Sequence, residues 1–168
     1  MVSETCIRDR AYSTASSSAT LPVSISCAQD NLGIDESVAG SVLPLGATIN
    51  MDGTAIYLGL IALFSAQALG IPLGFTDYVL IAMTATLTSI GAAGIPSSSL
   101  FLAFAVLGTF GVTLDQYTLI IAFILPFDRL LDMMRTVTNV TGDLAVASVV
   151  AKWEGQLDEE IFKTKSVV

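Results

Sequence analysis

The residues best suited to chemistry lie between Asp128 and Asp143, in the run DRLLDMMRTVTNVTGD, inside an otherwise apolar C-terminal half. At the 100° per residue of a helix, Asp128, Asp132, Arg135, Thr136, Asn139 and Asp143 fall within roughly a 100° arc, while Leu130, Leu131, Met134, Val137 and Val140 face elsewhere. The spacing predicts one polar stripe on a helix that otherwise suits lipid or a protein core. From Asp132 to Asp143 the stripe runs roughly 16 Å, enough for a ligand of amino-acid size with an ion beneath it. Charges at such depth are costly unless they pair with each other or with a ligand, which makes a binding site the first reading. The alternative is an internal network, Asp132 with Arg135 at i,i+3, that only holds the helix in place. Six polar side chains exceed what that pairing needs.

The elements that position this stripe must be apolar, and the composition agrees. A mean hydropathy of +0.74, with 13% charged residues and no His in 168 residues, points to an all-α membrane protein. No Lys or Arg occurs between Arg10 and Arg129, and between Glu36 and Asp128 the acids are Asp52, Asp77 and Asp115 alone. The net charge of −8 comes largely from Asp30, Asp35 and Glu36 in one loop and from Glu154, Asp158, Glu159 and Glu160 in the tail. With no basic patch to neutralise phosphates, no nucleic-acid partner is expected. An intramembrane enzyme is disfavoured too, since no His, metal cluster or serine with a general base is visible. The N-terminus, MVSETCIRDRAYSTASSS, has no apolar run of signal-peptide length and is not read as a secretory leader. Cys6 and Cys27 are too few for a disulfide framework and lack metal-ligand spacing, so they are read as thiols in or near a membrane.

In chain order, residues 1–31 read as a hairpin: a short helix, a tip at Ser16 to Thr20, and a second helix entered through Leu21-Pro22. Each arm is too short for a bilayer of about 30 Å, so in a membrane the hairpin is re-entrant; an ordinary polar loop is the alternative. Residues 37–69 read as an apolar helix interrupted at 46–54, where Gly, Asn and a lone Asp52 follow Pro44. Unwound carbonyls with a carboxylate are the ligands a hard cation needs. The alternative there is that Asp52 caps the second half-helix. Residues 75–111 repeat the hairpin, with a tip at 91–96. Residues 115–153 form the C-terminal helix, kinked near Pro126, and 154–168 an acidic, water-exposed tail. Two units of hairpin plus interrupted transmembrane helix, offset by about 75 to 80 residues, fit the inverted repeats of secondary transporters.

The blocks SSSATLP at 16–22, PLGATINMDGT at 44–54, SIGAAGIP at 89–96 and the series Asp132, Arg135, Thr136, Asn139, Gly142, Asp143 resemble the dicarboxylate/amino acid:cation symporters, which include the glutamate transporters. They occur in the family's order and cover nearly the whole chain, but only the C-terminal transport-domain portion of the family, whose N-terminal scaffold helices have no counterpart here. The resemblance implies that the two tips meet near the membrane midplane, where Ser17, Ser18, Gly94 and Ile95 surround a substrate carboxylate and Asn139 adds hydrogen bonds to it. It implies that Asp132 takes an ammonium group, that Arg135 grips a side-chain carboxylate with Thr136 in support, and that Thr54 belongs to the same substrate site. Sodium is implied against Gly46, Asn50, Asn139 and Asp143, a second sodium against Thr48 with the backbone at Ser89, Ile90 and Ala92, and a further, incomplete site at Asn50 and Asp52. Ala15 and Met133 stand where many relatives carry a further arginine.

The reading that follows is an elevator-type transport domain for glutamate or aspartate coupled to sodium, with no organic cofactor. Proton coupling through Asp128 or Asp143 and a non-transporting fragment that associates with full-length copies are the alternatives. The expected setting is a plasma or bacterial inner membrane, with lipid around the domain, a homotrimer in the full-length form and a cytoplasmic C-terminal tail.

Overall fold

The computed structural model describes residues 2–92 and 94–166; side chains are described for 7–92 and 94–163. Cys6 as a thiol, Ala93 in the second tip and the last residues of the tail lie outside these. Among the described residues eight helices follow one another: α1 Val2–Thr14, α2 Ser17–Leu32, α3 Glu36–Ile49, α4 Asp52–Leu69, α5 Phe75–Ile90, α6 Ser98–Gly108, α7 Leu114–Trp153 and α8 Glu159–Ser166. Among the described residues the extended structure is one isolated antiparallel bridge, Ile34 with Leu157.

Local sequence accounts for most of the boundaries. Asp35 opens α3 by accepting from Ser37 N–H, and Thr113 with Gln116 forms a reciprocal capping box on α7, which satisfies backbone donors that the first turn leaves open. Gly33 and Gly70 close α2 and α4 in the left-handed conformation, where a Cβ is disfavoured. Three expectations need correction. The first tip is confined to Ala15 and Ser16, because α2 begins at Ser17 and carries Pro22 in its interior rather than at its entry. The break expected over 46–54 is confined to Asn50 and Met51, because the helix continues to Ile49 and resumes at Asp52. α7 is not interrupted at Pro126 but runs unbroken for 40 residues; a proline removes one backbone hydrogen bond, and the long flanking arms, each packed on neighbours, carry the helix through.

α7 threads two apolar cores. Its N-terminal half packs Ile120 and Ile124 with Leu58 and Ile61 of α4, Ile81 of α5, and Leu100 and Leu107 of α6. Its C-terminal half packs Ala147 and Ala151 with Ala28 of α2 and Val38 and Leu43 of α3, and Val140 with Ile7 and Ala11 of α1 and the buried Cys27. Between the two cores lies the polar stripe. The outside of the molecule is apolar: Ile56, Leu60 and Phe64 on α4, Met83 and Leu87 on α5, Phe101 on α6, and Leu119, Phe123 and Phe127 on α7 are all exposed. Polar residues buried and large apolar residues exposed is the arrangement lipid requires and water penalises. The stretch Glu36–Leu69 is long and apolar enough to cross a membrane.

The tail is less detached than its charge implies. Asp158 N–H donates to the Gly33 carbonyl at 2.8 Å and Asp35 N–H to the Gln156 carbonyl at 3.1 Å, so 156–158 clasp the turn between α2 and α3.

The crossing of α4 over α7 is set by a glycine. A Cβ on Gly53 would stand 2.3 Å from the Arg135 carbonyl oxygen, whereas one on Gly59 meets nothing within 4 Å. Gly53→Ala is therefore expected to cost about 1–3 kcal/mol by overpacking, and Gly59→Ala to be neutral or stabilising by up to about 1 kcal/mol through helix propensity. Thermal melting of the two purified variants checks this, and equal melting temperatures would refute the close crossing.

Candidate functional site

Each member of the stripe is buried: Asp128, Asp132, Arg135, Thr136, Asn139 and Asp143 are all at most 6% exposed. Three breaks in the helical structure converge on them, and each is a place where backbone groups are free to bind something else. The first is the tip between α1 and α2. Ser16 caps α2 by accepting from Ala19 N–H at 3.1 Å and donates its own proton to the Gly94 carbonyl at 2.6 Å. Ser18 N–H reaches the same carbonyl at 3.4 Å. The two tips therefore touch, and a Cβ on Gly94 would stand 2.6 Å from Ser18 Oγ and 3.3 Å from the Ala47 carbonyl oxygen and Ser18 N, so a larger residue would require Ser18 to turn away. Ser17 is buried behind them, while Ile95 is exposed.

The second break is Asn50-Met51. Asp52 is the first residue of α4, Met51 supplies no side-chain cap, and the capping reading of Asp52 is not what the structure contains. Instead Gly53 N–H donates to Asn139 Oδ1 at 2.8 Å, and Asn139 Nδ2 reaches Thr54 Oγ1 at 3.3 Å and Met51 Sδ at 3.2 Å. Asn139 thus closes the break onto α7. One turn further on, Asn50 Nδ2 donates to Asp143 Oδ1 at 3.0 Å, and a Cβ on Gly46 would stand 2.6 Å from the same oxygen. Asp143 lies against the last turn of α3, whose carbonyl ends carry partial negative charge. No Lys or Arg lies in the sequence from Asn31 to Ser98, so nothing in α3 or α4 offsets that juxtaposition. A cavity of about 280 Å³ opens beside Gly46, Asn50 and Asp143. Carboxylate, amide and carbonyl oxygens are the ligands of a hard cation; here Asn50 turns its amide N–H to Asp143, and Val42, Leu45, Ile49 and Val146 complete the cavity wall, while among the described residues no group of three His, Cys, Asp or Glu side chains could hold a metal. Asp52 lies nearby, its Oδ2 3.5 Å from where a Gly142 Cβ would be.

The second expected ion set is less gathered. Thr48 is exposed and donates to the Leu45 carbonyl, and the buried Ser89 donates to the Thr86 carbonyl, so each hydroxyl is spent on its own helix. Ala92 is buried and Ile90 exposed.

The third break is the tip between α5 and α6, and here the charged groups meet. Arg135 donates through Nε to Asp132 Oδ1, through Nη1 to Thr54 Oγ1 at 2.7 Å, and through Nη2 to the Ile95 carbonyl at 3.5 Å. Asp132 Oδ2 accepts from Ser97 N–H at 2.8 Å. Thr136 turns back to the Asp132 carbonyl. Asp128 accepts from Tyr57 OH at 2.7 Å and from Ser97 Oγ at 2.6 Å. α2, α4 and α6 all begin near this region, and the positive end of a helix dipole favours anions. Reading the sequence alone missed Ser16, Gly53, Tyr57 and Ser97. The only available signals were Ser97 following the tip proline and Tyr57 standing on α4 one turn beyond Gly53.

Comparison with known proteins places this arrangement. The pattern of the sodium:dicarboxylate symporter family matches residues 10–153. The chain belongs to that family. An excitatory amino acid transporter of Caenorhabditis elegans is 49% identical over 140 residues, 83% of this chain and 27% of that protein. Human excitatory amino acid transporter 1 is likewise 49% identical over 140 residues, 83% of this chain and 25% of its own length. Mouse excitatory amino acid transporter 2 is 44% identical over 169 residues, 94% of this chain and 29% of its own. This symporter-family chain thus spans about a quarter of the length of the curated relatives it matches. Those relatives are transporters, not enzymes.

The buried ion pair gives a direct test of the site's construction. Asp132→Asn leaves the Arg135 guanidinium buried without its carboxylate and is expected to cost about 3–5 kcal/mol, against less than about 0.5 kcal/mol for the exposed Thr138→Ala. Thermal melting in the same detergent reads both; an unchanged melting temperature for Asp132→Asn would mean that Arg135 has other compensation.

Proposed function

We propose that this chain is the substrate- and ion-binding part of a secondary transporter that moves glutamate or aspartate together with sodium. One observation carries the reading: a guanidinium and a carboxylate, Arg135 and Asp132, are buried side by side beneath the contact of two helix tips. An acidic amino acid offers the complementary set of charges. In this reading Asp132 takes its ammonium group and Arg135 its side-chain carboxylate, by a planar fork that Thr136 and Thr54 steady. Asn139 and the amides at Ser17, Ser18, Gly94 and Ile95 surround the α-carboxylate. The names of the relatives, excitatory amino acid transporters, and the family's description as sodium:dicarboxylate symporters support the same substrate class and ion.

Sodium would sit against Gly46, Asn50, Asn139 and Asp143, and a second sodium at Thr48 with the 89–92 backbone. Its role is charge compensation of carboxylates set against carbonyl-rich helix ends, so that ion and substrate each stabilise the closed site; that mutual stabilisation is coupling in the thermodynamic sense. The hairpins α1–α2 and α5–α6 would be re-entrant and related as inverted repeats, a reading favoured by a left-handed residue just before or at the start of each returning arm, Ala15 and Ser97. The exposed apolar faces of α4 and α6 would slide in elevator fashion against scaffold helices within a trimer, in a plasma or inner membrane, with the tail cytoplasmic.

Arg135→Cys is expected to weaken glutamate and aspartate binding by about 100-fold or more, since the charge-paired fork is lost from a dry site, and to admit neutral amino acids. Isothermal titration with aspartate and serine reads this, and unchanged aspartate affinity would sink the assignment. Asp143→Asn is expected to shift the sodium dependence of aspartate binding to about 10-fold higher sodium while leaving affinity at saturating sodium much less affected. Equal affinity in sodium and in choline would remove sodium coupling and favour protons.

A further inference from the structure

Ser97 adopts a left-handed backbone, φ 58° and ψ 10°, which is uphill for a residue with a Cβ. What this conformation achieves is visible in its bonds. The N–H of Ser97 stands 2.8 Å from Asp132 Oδ2 and its hydroxyl 2.6 Å from Asp128 Oδ2. The two carboxylates lie one helical turn apart on α7, so a single residue at the start of α6 straddles both. Each carboxylate gives one oxygen to Ser97 and the other to a second partner: for Asp132 this is Arg135 on α7 itself, and for Asp128 it is Tyr57 on α4.

Local energetics favour this double attachment. Asp128 and Asp132 are buried, and of these two carboxylates the Arg135 guanidinium bonds Asp132 and not Asp128. A carboxylate oxygen at such depth requires a donor. Ser97 supplies one to each, and hydrogen bonds to carboxylates are stronger than those between neutral groups. The peptide N–H on Asp132 occupies a position that an ammonium group would seek, since both are donors to the same oxygen. The hydroxyl on Asp128 makes no such competition and is the contact that remains available whatever Asp132 binds.

We propose that Ser97 is the residue that shuts the second tip onto α7, its N–H bonded to the Asp132 oxygen that a ligand's cationic group would otherwise take and its hydroxyl anchoring the tip to Asp128. The inference deepens the proposed function, because it takes the 94–97 tip as the cover of an amino-acid site. Ser97 acts through the position of the tip; it is a positioning residue.

Hydrogen–deuterium exchange of the full chain in lipid nanodiscs, without sodium or amino acid, tests it. Ser97→Ala removes the hydroxyl and keeps the strained backbone; Ser97→Gly removes the hydroxyl and relieves the strain; Ser97→Asn restores a side-chain donor on a residue that tolerates the left-handed region. The tip amides at 94–99 are expected to exchange about 10-fold faster in both Ala and Gly variants, the scale of one lost bond to a charged acceptor, and to return to within about 3-fold of the natural protein in the Asn variant. Exchange in 100–108 and 128–143 should not change, since the effect is a local opening. Unchanged tip exchange in Ala and Gly, slower exchange in Gly, or equal loosening of all of α6 would overturn the proposal. The ligand reading fails separately: aspartate with sodium that gives no protection anywhere in the natural protein would remove the substrate assignment, whereas the Ser97 comparison is made with no ligand.

Discussion

The structure depends on the burial of charge along one face of α7. Arg135 and Asp132 are desolvated at a depth where neither could stand alone, and their mutual attraction is sufficient only because further donors and acceptors complete the set. Those donors do not come from regular secondary structure. They come from places where helices stop: Ser97 N–H at the second tip donates to Asp132, while Arg135 finds its acceptors in Thr54 Oγ1 in the first turn of α4 and in the Ile95 carbonyl of the tip. A helix interior has no spare backbone donors to offer, so a buried polar stripe on one helix calls for interruptions in the others. The hairpins and the broken helix are the structural counterpart of the stripe.

The apolar cores explain why this polar centre stays where it is. One core joins α4, α5, α6 and the first half of α7; the other joins α2, α3 and the second half. α7 is common to both and is continuous through Pro126. A helix held at both ends by packing presents its middle to a fixed region, and the two tips and the break are delivered there by helices belonging to one core or the other. Small residues set the approach distances. Gly53 lets α4 lie on the α7 backbone, Gly46 leaves room for the Asp143 carboxylate, and Gly94 lets the two tips touch. In each case a methyl group would meet an oxygen well inside contact distance.

Two kinds of polar environment follow from the same helix. Near Asp132 the neighbours are donors: a guanidinium, a peptide N–H and helix N-termini. Near Asp143 they are oxygens and an amide, at the carbonyl end of α3, with Asp52 close by. The first suits a ligand that carries carboxylates and an ammonium group; the second suits a cation. They are separated by about three turns of α7, with Asn139 between them spending its amide on the break. A group placed in one region is therefore within reach, through Asn139 and the 50–54 backbone, of the geometry of the other.

Much of this was legible in the sequence. The polar stripe follows from 3.6-residue periodicity, and all six of its members are buried together as that periodicity requires. The helical arms and the position of the second tip follow from Ser, Gly and Pro punctuation, and the membrane character from a long stretch without a basic residue; the first tip lies earlier than its serine run and proline indicated, since α2 already starts at Ser17. The sequence motifs also carried the family. Tertiary structure decided the rest. Periodicity could not say that α7 would pass Pro126 unbroken, because that depends on packing along both of its arms. Nor could a Gly- and Asn-rich segment show that only Asn50 and Met51 would leave the helix, since its length is set by how Gly53 and Asn139, 86 positions apart, fit together. Tyr57 and Ser97 are unremarkable as letters; they become partners of Asp128 only when α4 and the second tip are brought against α7. The sequence by itself determined which groups had to be buried and where helices would end, because those are local matters of polarity and backbone preference. Only the fold decided which end meets which charge, because a hydrogen bond between distant residues is fixed by three-dimensional approach and leaves no periodic trace in the chain.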